Sequence, residues 1–495
     1  MDFRVPSGIR IALGILLAVS LAACSDDDPK NSVEESRLVA VQAWNQVAID
    51  ASGRDHAPGG GGEQLGPCRA SRALAIVQIA VFEAVNAVAG GYESYAGLSG
   101  GPSRHQVVLA GLSPATSGDA SMEAAVGQAA HDALVATFPS QQAIFDAELS
   151  ERLADIADGP AETAGIDIGR AAALASLAMR VDDGSAHPEP IVDVDYLCGD
   201  QPGNWRKDPI SLLPPAMGAH WYEVRPFVMT SSTQFRIPAP PALDSPEYAT
   251  AYNEVRQLGG DGITTPTIRT PDQTETGIFW AYDGTPSLCA PPRLYNQILV
   301  QIAAQRGSDA VELARLLAIA NVAMADAGIA IWESKYYYKF WRPVTGIRES
   351  DPGTGPTGTG DGNPATAGDV AFSPLGAPAS NLSRVNFTPP FPSYPSGHAG
   401  FGGALFETLR RFYGTDDIAF TFVSDEYNGQ TRDRDGNIRP RRPRSFQNLS
   451  QAEEENGQSR IYLGIHWSFD KVQGIAQGRQ VADLVFDHLY RPISS

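Results

Sequence analysis

Positive charge is scarce in this chain: 37 lysines and arginines stand against 57 aspartates and glutamates, a net charge of -20 over 495 residues. A phosphate backbone would be repelled by that balance, which excludes nucleic-acid binding as the role. A solvated, exported protein tolerates it. Cysteine is also scarce, with four in the whole chain. Beyond Cys24 only Cys68, Cys198 and Cys289 remain, an odd number without Cys-x-x-Cys spacing, so neither a zinc site nor a redox pair can be argued from them. Two of the three could be joined in an exported protein, and the sequence leaves open which. No internal repeat is visible. The apolar run Ile11 to Ala23 is short for a membrane span.

That run follows Arg4 and Arg10 and ends in Leu21-Ala-Ala-Cys24, the pattern of a targeting segment. Residues 1–23 are expected to be a signal peptide and 24–32 a tether. Residues 33–183 read as alanine-rich helices, with Ala73, Ile76, Ala80 and Ala84 in one run and Ala124, Ala130, Ala133 and Leu134 in another at helical spacing. Small residues let helices approach closely, so a first helical bundle is expected there. His131, inside the second run, is expected to be a packed core residue. From 184 to 245 periodicity gives way to proline-rich text. Trp205, Trp221, Phe227 and Phe235 are too apolar for a solvated linker, so the stretch reads as an ordered connector wrapped over helices. Residues 246–495 return to helical text and form a second bundle. Its central helix is expected from Asp309 to about Lys339, apolar almost all round and ended by Pro343. The fold class is therefore all-α, two helical bundles with long ordered loops.

The chemistry sits in three short stretches of the second bundle. Lys335 and Arg342, seven residues apart, would lie about 20° from each other on one face if a single helix ran to Pro343. Two buried cations on one face need an anion between them. In Pro392-Ser-Tyr-Pro395-Ser396-Gly397-His398, a proline turn, a serine N-cap and a following run of small residues put Ser396, Gly397 and His398 at a helix N-terminus. Free amides and the helix dipole favour an oxyanion there. In Ser459-Arg460-Ile-Tyr-Leu-Gly464-Ile-His466-Trp-Ser468-Phe-Asp470, the arginine and the histidine would point about 120° apart on one helix, so they can meet only if Gly464 breaks it. Ser468 could cap the fresh helix, which would carry Val472, Ile475, Ala482, Val485 and Leu489 on its apolar stripe. Three cations, a hydroxyl, a glycine amide and two histidines are the parts that a tetrahedral trianion requires. The other six histidines, at 56, 105, 131, 187, 220 and 488, have no such context.

Lys335-x6-Arg342-Pro343, Pro395-Ser-Gly-His398 and Ser459-Arg-x5-His466-x3-Asp470 together resemble the signature shared by vanadium-dependent haloperoxidases and the type 2 phosphatidic acid phosphatase superfamily. The resemblance implies a vanadate cofactor in the C-terminal bundle. His466 would bond the metal, with Lys335, Arg342, Ser396, the Gly397 amide and Arg460 on its oxygens. His398 would act in proton transfer and Lys335 would polarise the bound oxidant. Trp332 and Phe391 resemble residues beside the halide position. Phe279-Trp-Ala-Tyr-Asp283-Gly resembles a segment whose aspartate pairs with the last arginine, here Asp283 with Arg460, and Asp470 would orient the ring of His466. The activity implied is oxidation of halide by hydrogen peroxide to hypohalous acid, with a small organic acceptor as a further partner. An exported acid or lipid phosphatase working through a phosphohistidine is the alternative. Leu-Ala-Ala-Cys resembles the lipobox of bacterial lipoproteins, which implies a lipid anchor on Cys24 and a site at the periplasm or cell surface.

Overall fold

The computed structural model describes residues 29–95, 119–284, 287–378 and 386–493. The signal peptide, Cys24 and His105 lie outside them. The fold is helical: α1 (Pro29–Asp55), α2 (Gly66–Ala89), α3 (Met122–Thr137), α4 (Gln142–Leu153) and α5 (Pro160–Ala178) come first. After the connector come α6 (Pro246–Leu258), α7 (Pro271–Phe279), α8 (Pro291–Arg306), α9 (Ala310–Tyr338), α10 (Pro343–Arg348) and α11 (Gly397–Tyr413). A two-stranded antiparallel ribbon, β1 (Phe420–Val423) on β2 (Pro443–Phe446), precedes α12 (Leu449–Tyr462) and α13 (Ser468–His488).

The organising element is α9. Asp309 caps it, accepting from Glu312 N at 2.8 Å while the Glu312 carboxylate reaches back to Asp309 N at 3.3 Å, a reciprocal box that satisfies two otherwise orphan amides. Leu313, Leu316, Ala320, Met324, Ala327 and Ile331 have no exposed surface. The helix packs on α2 on one side and on α11 and α13 on the other, so one continuous apolar cluster runs through both halves of the chain. Both α2 and α9 are long and apolar enough to cross a membrane, yet their apolar stretches are mostly buried inside the fold.

Three expectations are corrected. The central helix ends at Tyr338, with Lys339 in the left-handed region at φ 50°, and Pro343 opens α10 instead of ending α9. Proline at a first helical position forfeits an amide that has no partner there anyway. Lys335 and Arg342 therefore stand on different elements. Val472 is 55% exposed, whereas Ala482, Val485 and Leu489 are buried as expected; Gly474, Gln477, Gly478 and Val481 complete the buried face of α13. A side chain on Gly478 would collide with the Gly400 carbonyl, so small residues, not large apolar ones, set the crossing of α11 and α13. His131 is half-buried and paired, its ring nitrogens 2.7 Å from Asp132 and 2.8 Å from Asp146. The three cysteines beyond residue 24 are free thiols.

The connector is fastened by a charge. Asp326, fully buried in the middle of α9, accepts the amides of Phe227 at 2.6 Å, Val228 at 2.8 Å and Met229 at 2.9 Å. Burial pushes its carboxyl up and those three donors pull it back. Trp205, Trp221 and Phe227 are buried against the helices.

Candidate active site

Two helix starts and one helix end converge beside the C-terminal end of α9. Ser396 caps α11, its hydroxyl accepting from Ala399 N at 3.4 Å, which leaves the hydroxyl hydrogen to be donated. Gly464, at φ 72°, ends the α12 turn where a side chain would meet the backbone of Gly259. That corner turns His466 toward Arg460 before α13 begins, with Trp467 in the N-cap position and Ser468, expected to be the cap, as the first helical residue. The starts of α11 and α13 are tied by Ser396 N donating to Asp470 O at 3.0 Å.

Lys335 and Arg460 are 0% exposed and Arg342 is 1% exposed. The Lys335 ammonium donates to the carbonyls of Pro392 at 2.8 Å, Ser393 at 2.9 Å and Pro395. It also lies 5.2 Å from the ring centre of Phe391 and 5.6 Å from that of Trp332. Its three donors thus hold the loop that leads into α11, and its charge reaches the pocket through space. Arg342 donates from Nε to Phe391 O at 2.9 Å and from Nη1 to Ile465 O at 2.9 Å, and Nη1 stands 3.1 Å from His466 Nε2. Arg460 gives Nη2 to both oxygens of Asp283, at 2.7 and 2.8 Å. Arg342 Nη2 and Arg460 Nε and Nη1 are buried without a hydrogen-bond partner. Buried guanidinium donors left in that state are strongly unfavourable, so the pocket is built for an anion with several acceptor oxygens.

The histidine tautomers follow from their neighbours. A guanidinium can only donate, so His466 Nε2 is a lone pair; Nδ1 carries the hydrogen and gives it to Asp470 Oδ2 at 2.7 Å. The same oxygen takes Trp467 N at 3.1 Å and the Ser393 hydroxyl. Burial, then Arg342, Lys335 and Arg460, hold the His466 imidazole well below its ordinary range. Burial pushes the Asp470 carboxyl up to about 7, against the pull of Ser393 and the Trp467 amide. His398 donates Nε2–H to Ala281 O, with Asp283 3.9 Å from the same nitrogen. Burial and Arg460 hold it well below the ordinary histidine range. Both imidazoles are neutral while no anion offsets the cations.

His466, Arg460 and His398 form the floor of a cavity of about 370 Å³. Trp332 and Phe391, with ring centres 4.9 Å apart, line it together with Asp283 and Gly397. The walls come from elsewhere in the chain: Leu65, Gly66 and Pro67 at the start of α2, Leu213, Pro215 and Met217 of the connector, and Phe387 to Phe391. His56, left without context by the sequence, also lines it, donating to Ser52 O at 2.8 Å and accepting from Gly66 N at 2.9 Å. Ser393 was missed although it stands inside the Pro392-to-His398 motif. A serine three residues before the N-cap is ordinary, and only the fold brings its hydroxyl to Asp470.

The protein thus joins, on a helical fold, buried cations, a neutral ring nitrogen and unpaired donors at one centre suited to an oxyanion. Its relatives narrow the class. Residues 315–495 match the VCPO second helical-bundle domain. The vanadium chloroperoxidase of Curvularia inaequalis is 35% identical over 335 residues, 59% of this chain and 51% of that protein. The chain thus spans about half the length of that curated relative. The fold is that of a bacterial vanadium-dependent iodoperoxidase crystal structure: TM-score 0.68 at 24% identity, covering 92% of this chain and 98% of that one. It is also that of a bacterial vanadium-dependent chloroperoxidase in its apo form: TM-score 0.61 at 16% identity, covering 86% of this chain and 95% of the other.

Proposed function

We propose that this protein is a vanadate-dependent haloperoxidase, oxidising halide with hydrogen peroxide to hypohalous acid. The observation that carries the reading is the set of unpaired donors on Arg342 and Arg460 around the lone pair of His466 Nε2. An oxyanion of a metal needs several oxygens neutralised and one ring nitrogen with a lone pair, and these residues fit that demand once Arg342 Nη1 yields Nε2. The relatives named above support vanadate over phosphate.

His466 Nε2 would bond the metal, its ring held by Asp470 and, through Asp470, by Ser393. Arg342, Arg460, the Ser396 hydroxyl and the Gly397 amide would hold oxygens, with Lys335 adding charge. Vanadate, when bound, supplies a Lewis acid that activates peroxide without a redox change at any side chain. Asp283 keeps Arg460 aimed at the centre and partly offsets its charge. His398, neutral and beside Arg460, would take up and return the protons of incoming peroxide. Trp332 and Phe391 would give halide an apolar, weakly hydrating wall next to the cations. The remaining cavity has room for a small organic acceptor, since about 370 Å³ exceeds what halide and peroxide require.

The test is reconstitution with orthovanadate followed by bromination or iodination of an indicator dye with peroxide, and, separately, hydrolysis of a phosphomonoester without vanadate. Vanadate-dependent halogenation is expected. Hydrolysis alone would replace the reading with a phosphatase that uses His466 as nucleophile.

Export and anchoring belong to the same proposal: residues 1–23 as signal peptide, 24–32 as tether, and a lipid on Cys24. The pattern Leu21-Ala-Ala-Cys24 after an apolar run supports it. Metabolic labelling with a tagged fatty acid should mark the protein and fail in Cys24→Ser.

A further inference from the structure

We infer that Met217 is where the protein is oxidised by its own product, the thioether becoming a sulfoxide as hypohalous acid leaves the pocket; the inference rests on the haloperoxidase reading above. Of the six methionines in the chain, Met122, Met229 and Met324 are buried in the core. Met179 is half-buried at the end of α5, outside the cavity, and Met1 lies outside the described residues. Met217 is half-buried and lines the cavity. No cysteine does so among the described residues. Oxidant formed at the floor therefore meets one soft nucleophile on its way out.

The step balances. The sulfur lone pair attacks the halogen of hypohalous acid, forming an S–X bond and releasing hydroxide. Water then adds to sulfur and expels halide, leaving the sulfoxide. Sulfur loses two electrons, halogen gains them, and one proton is released overall.

The surroundings make the change consequential. The Met217 sulfur lies over Gly66, 2.6 Å from where a side-chain carbon on that glycine would sit. Its backbone is a hub: the amide donates to Pro390 O at 3.0 Å, and the carbonyl accepts from Trp332 Nε1 at 3.0 Å and the Tyr336 hydroxyl at 2.8 Å. A sulfoxide oxygen is polar and bulkier than a lone pair. The cavity that Met217 lines is also lined by Pro67, Pro215, Pro389 and Pro390, none of which has an N–H to give such an oxygen. Relieving that mismatch shifts the residue that holds Trp332, so oxidation ends the useful life of the site. A methionine sulfoxide reductase would restore it.

The test follows the vanadate-loaded protein through turnover with bromide and peroxide, mapping methionine oxidation by peptide mass spectrometry. Vanadate-free protein given the same amount of hypobromite from solution is compared. Under turnover the ratio of Met217 to Met179 oxidation should exceed the bulk-reagent ratio several-fold, and Met217→Leu should complete several-fold more turnovers before inactivation. Equal ratios in the two arms overturn the inference, as does sustained dye bromination with Met217 unmodified. Absence of any dye bromination overturns the haloperoxidase reading itself, a separate failure.

Discussion

Two buried charges on α9, nine residues apart, are treated in opposite ways. Asp326 is a lone anion whose partners are complete: three backbone amides within 2.9 Å. Lys335 and its neighbours Arg342 and Arg460 are cations in surplus, opposed by Asp283 and Asp470, with three guanidinium nitrogens unpaired. Burying an ion is unfavourable by several kcal/mol unless hydrogen bonds and counter-charge offset it. Where the offset is complete the charge is architecture; where it is incomplete, the fold has left the deficit for a ligand to fill.

The contrast can be broken from either side. The largest effect is expected from His466→Ala: vanadium retention, measured by elemental analysis after gel filtration, should be lost together with halogenation. Unchanged metal content would show that Nε2 is not the ligand. Arg342→Met and Arg460→Met should each lower halogenation by about 10²–10³-fold, the usual effect of deleting a preorganised oxyanion donor. The urea midpoint of Arg342→Met should change little, because a surplus buried charge goes together with its two carbonyl contacts, whereas Arg460→Met should lower it by stranding the buried Asp283 carboxylate. Asp326→Ala should spare activity. It strands three buried amides at about 1–3 kcal/mol apiece, so the urea midpoint should drop steeply while halogenation per folded molecule persists.

The smallest effect concerns His131. Hydrogen bonds from Asp132, then Asp146, raise its pKa above the ordinary 6.5 against partial burial. A raised folded value means the contribution is complete below the unfolded pKa and is lost as pH rises through the folded one. The pair is partly solvated, so it is worth under about 1 kcal/mol. Stability curves of the native protein and His131→Gln should differ at pH 5 and converge by pH 9; a gap that widened with pH would reverse the sign.

How much of this was legible depended on range. Pro395-Ser-Gly-His398 and the Gly464 corner are local devices, a capped helix start and a left-handed turn, and their chemistry follows from adjacent residues. The relation of Lys335 to Arg342 was misjudged because a left-handed Lys339 in a run of aromatics gives no sequence signal, whereas Pro343 gives one that fits either a helix end or a helix start. Val472 was assigned to the packed stripe because apolar periodicity ignores glycine, and the α11–α13 crossing is made by glycines. Asp326 gives no signal of its role, being one acidic residue within an apolar helix. Its partners lie about 100 residues earlier, the cavity walls from α2 and the connector lie farther still from the motifs they face, and no spacing rule spans such distances.

Because α9 is the shared wall of both helical groups, neither can complete its core without it. The two helical groups therefore share one apolar core despite the two-bundle outline. An anion that binds the folded pocket and not the unfolded chain would stabilise the whole of that shared core, α2 included.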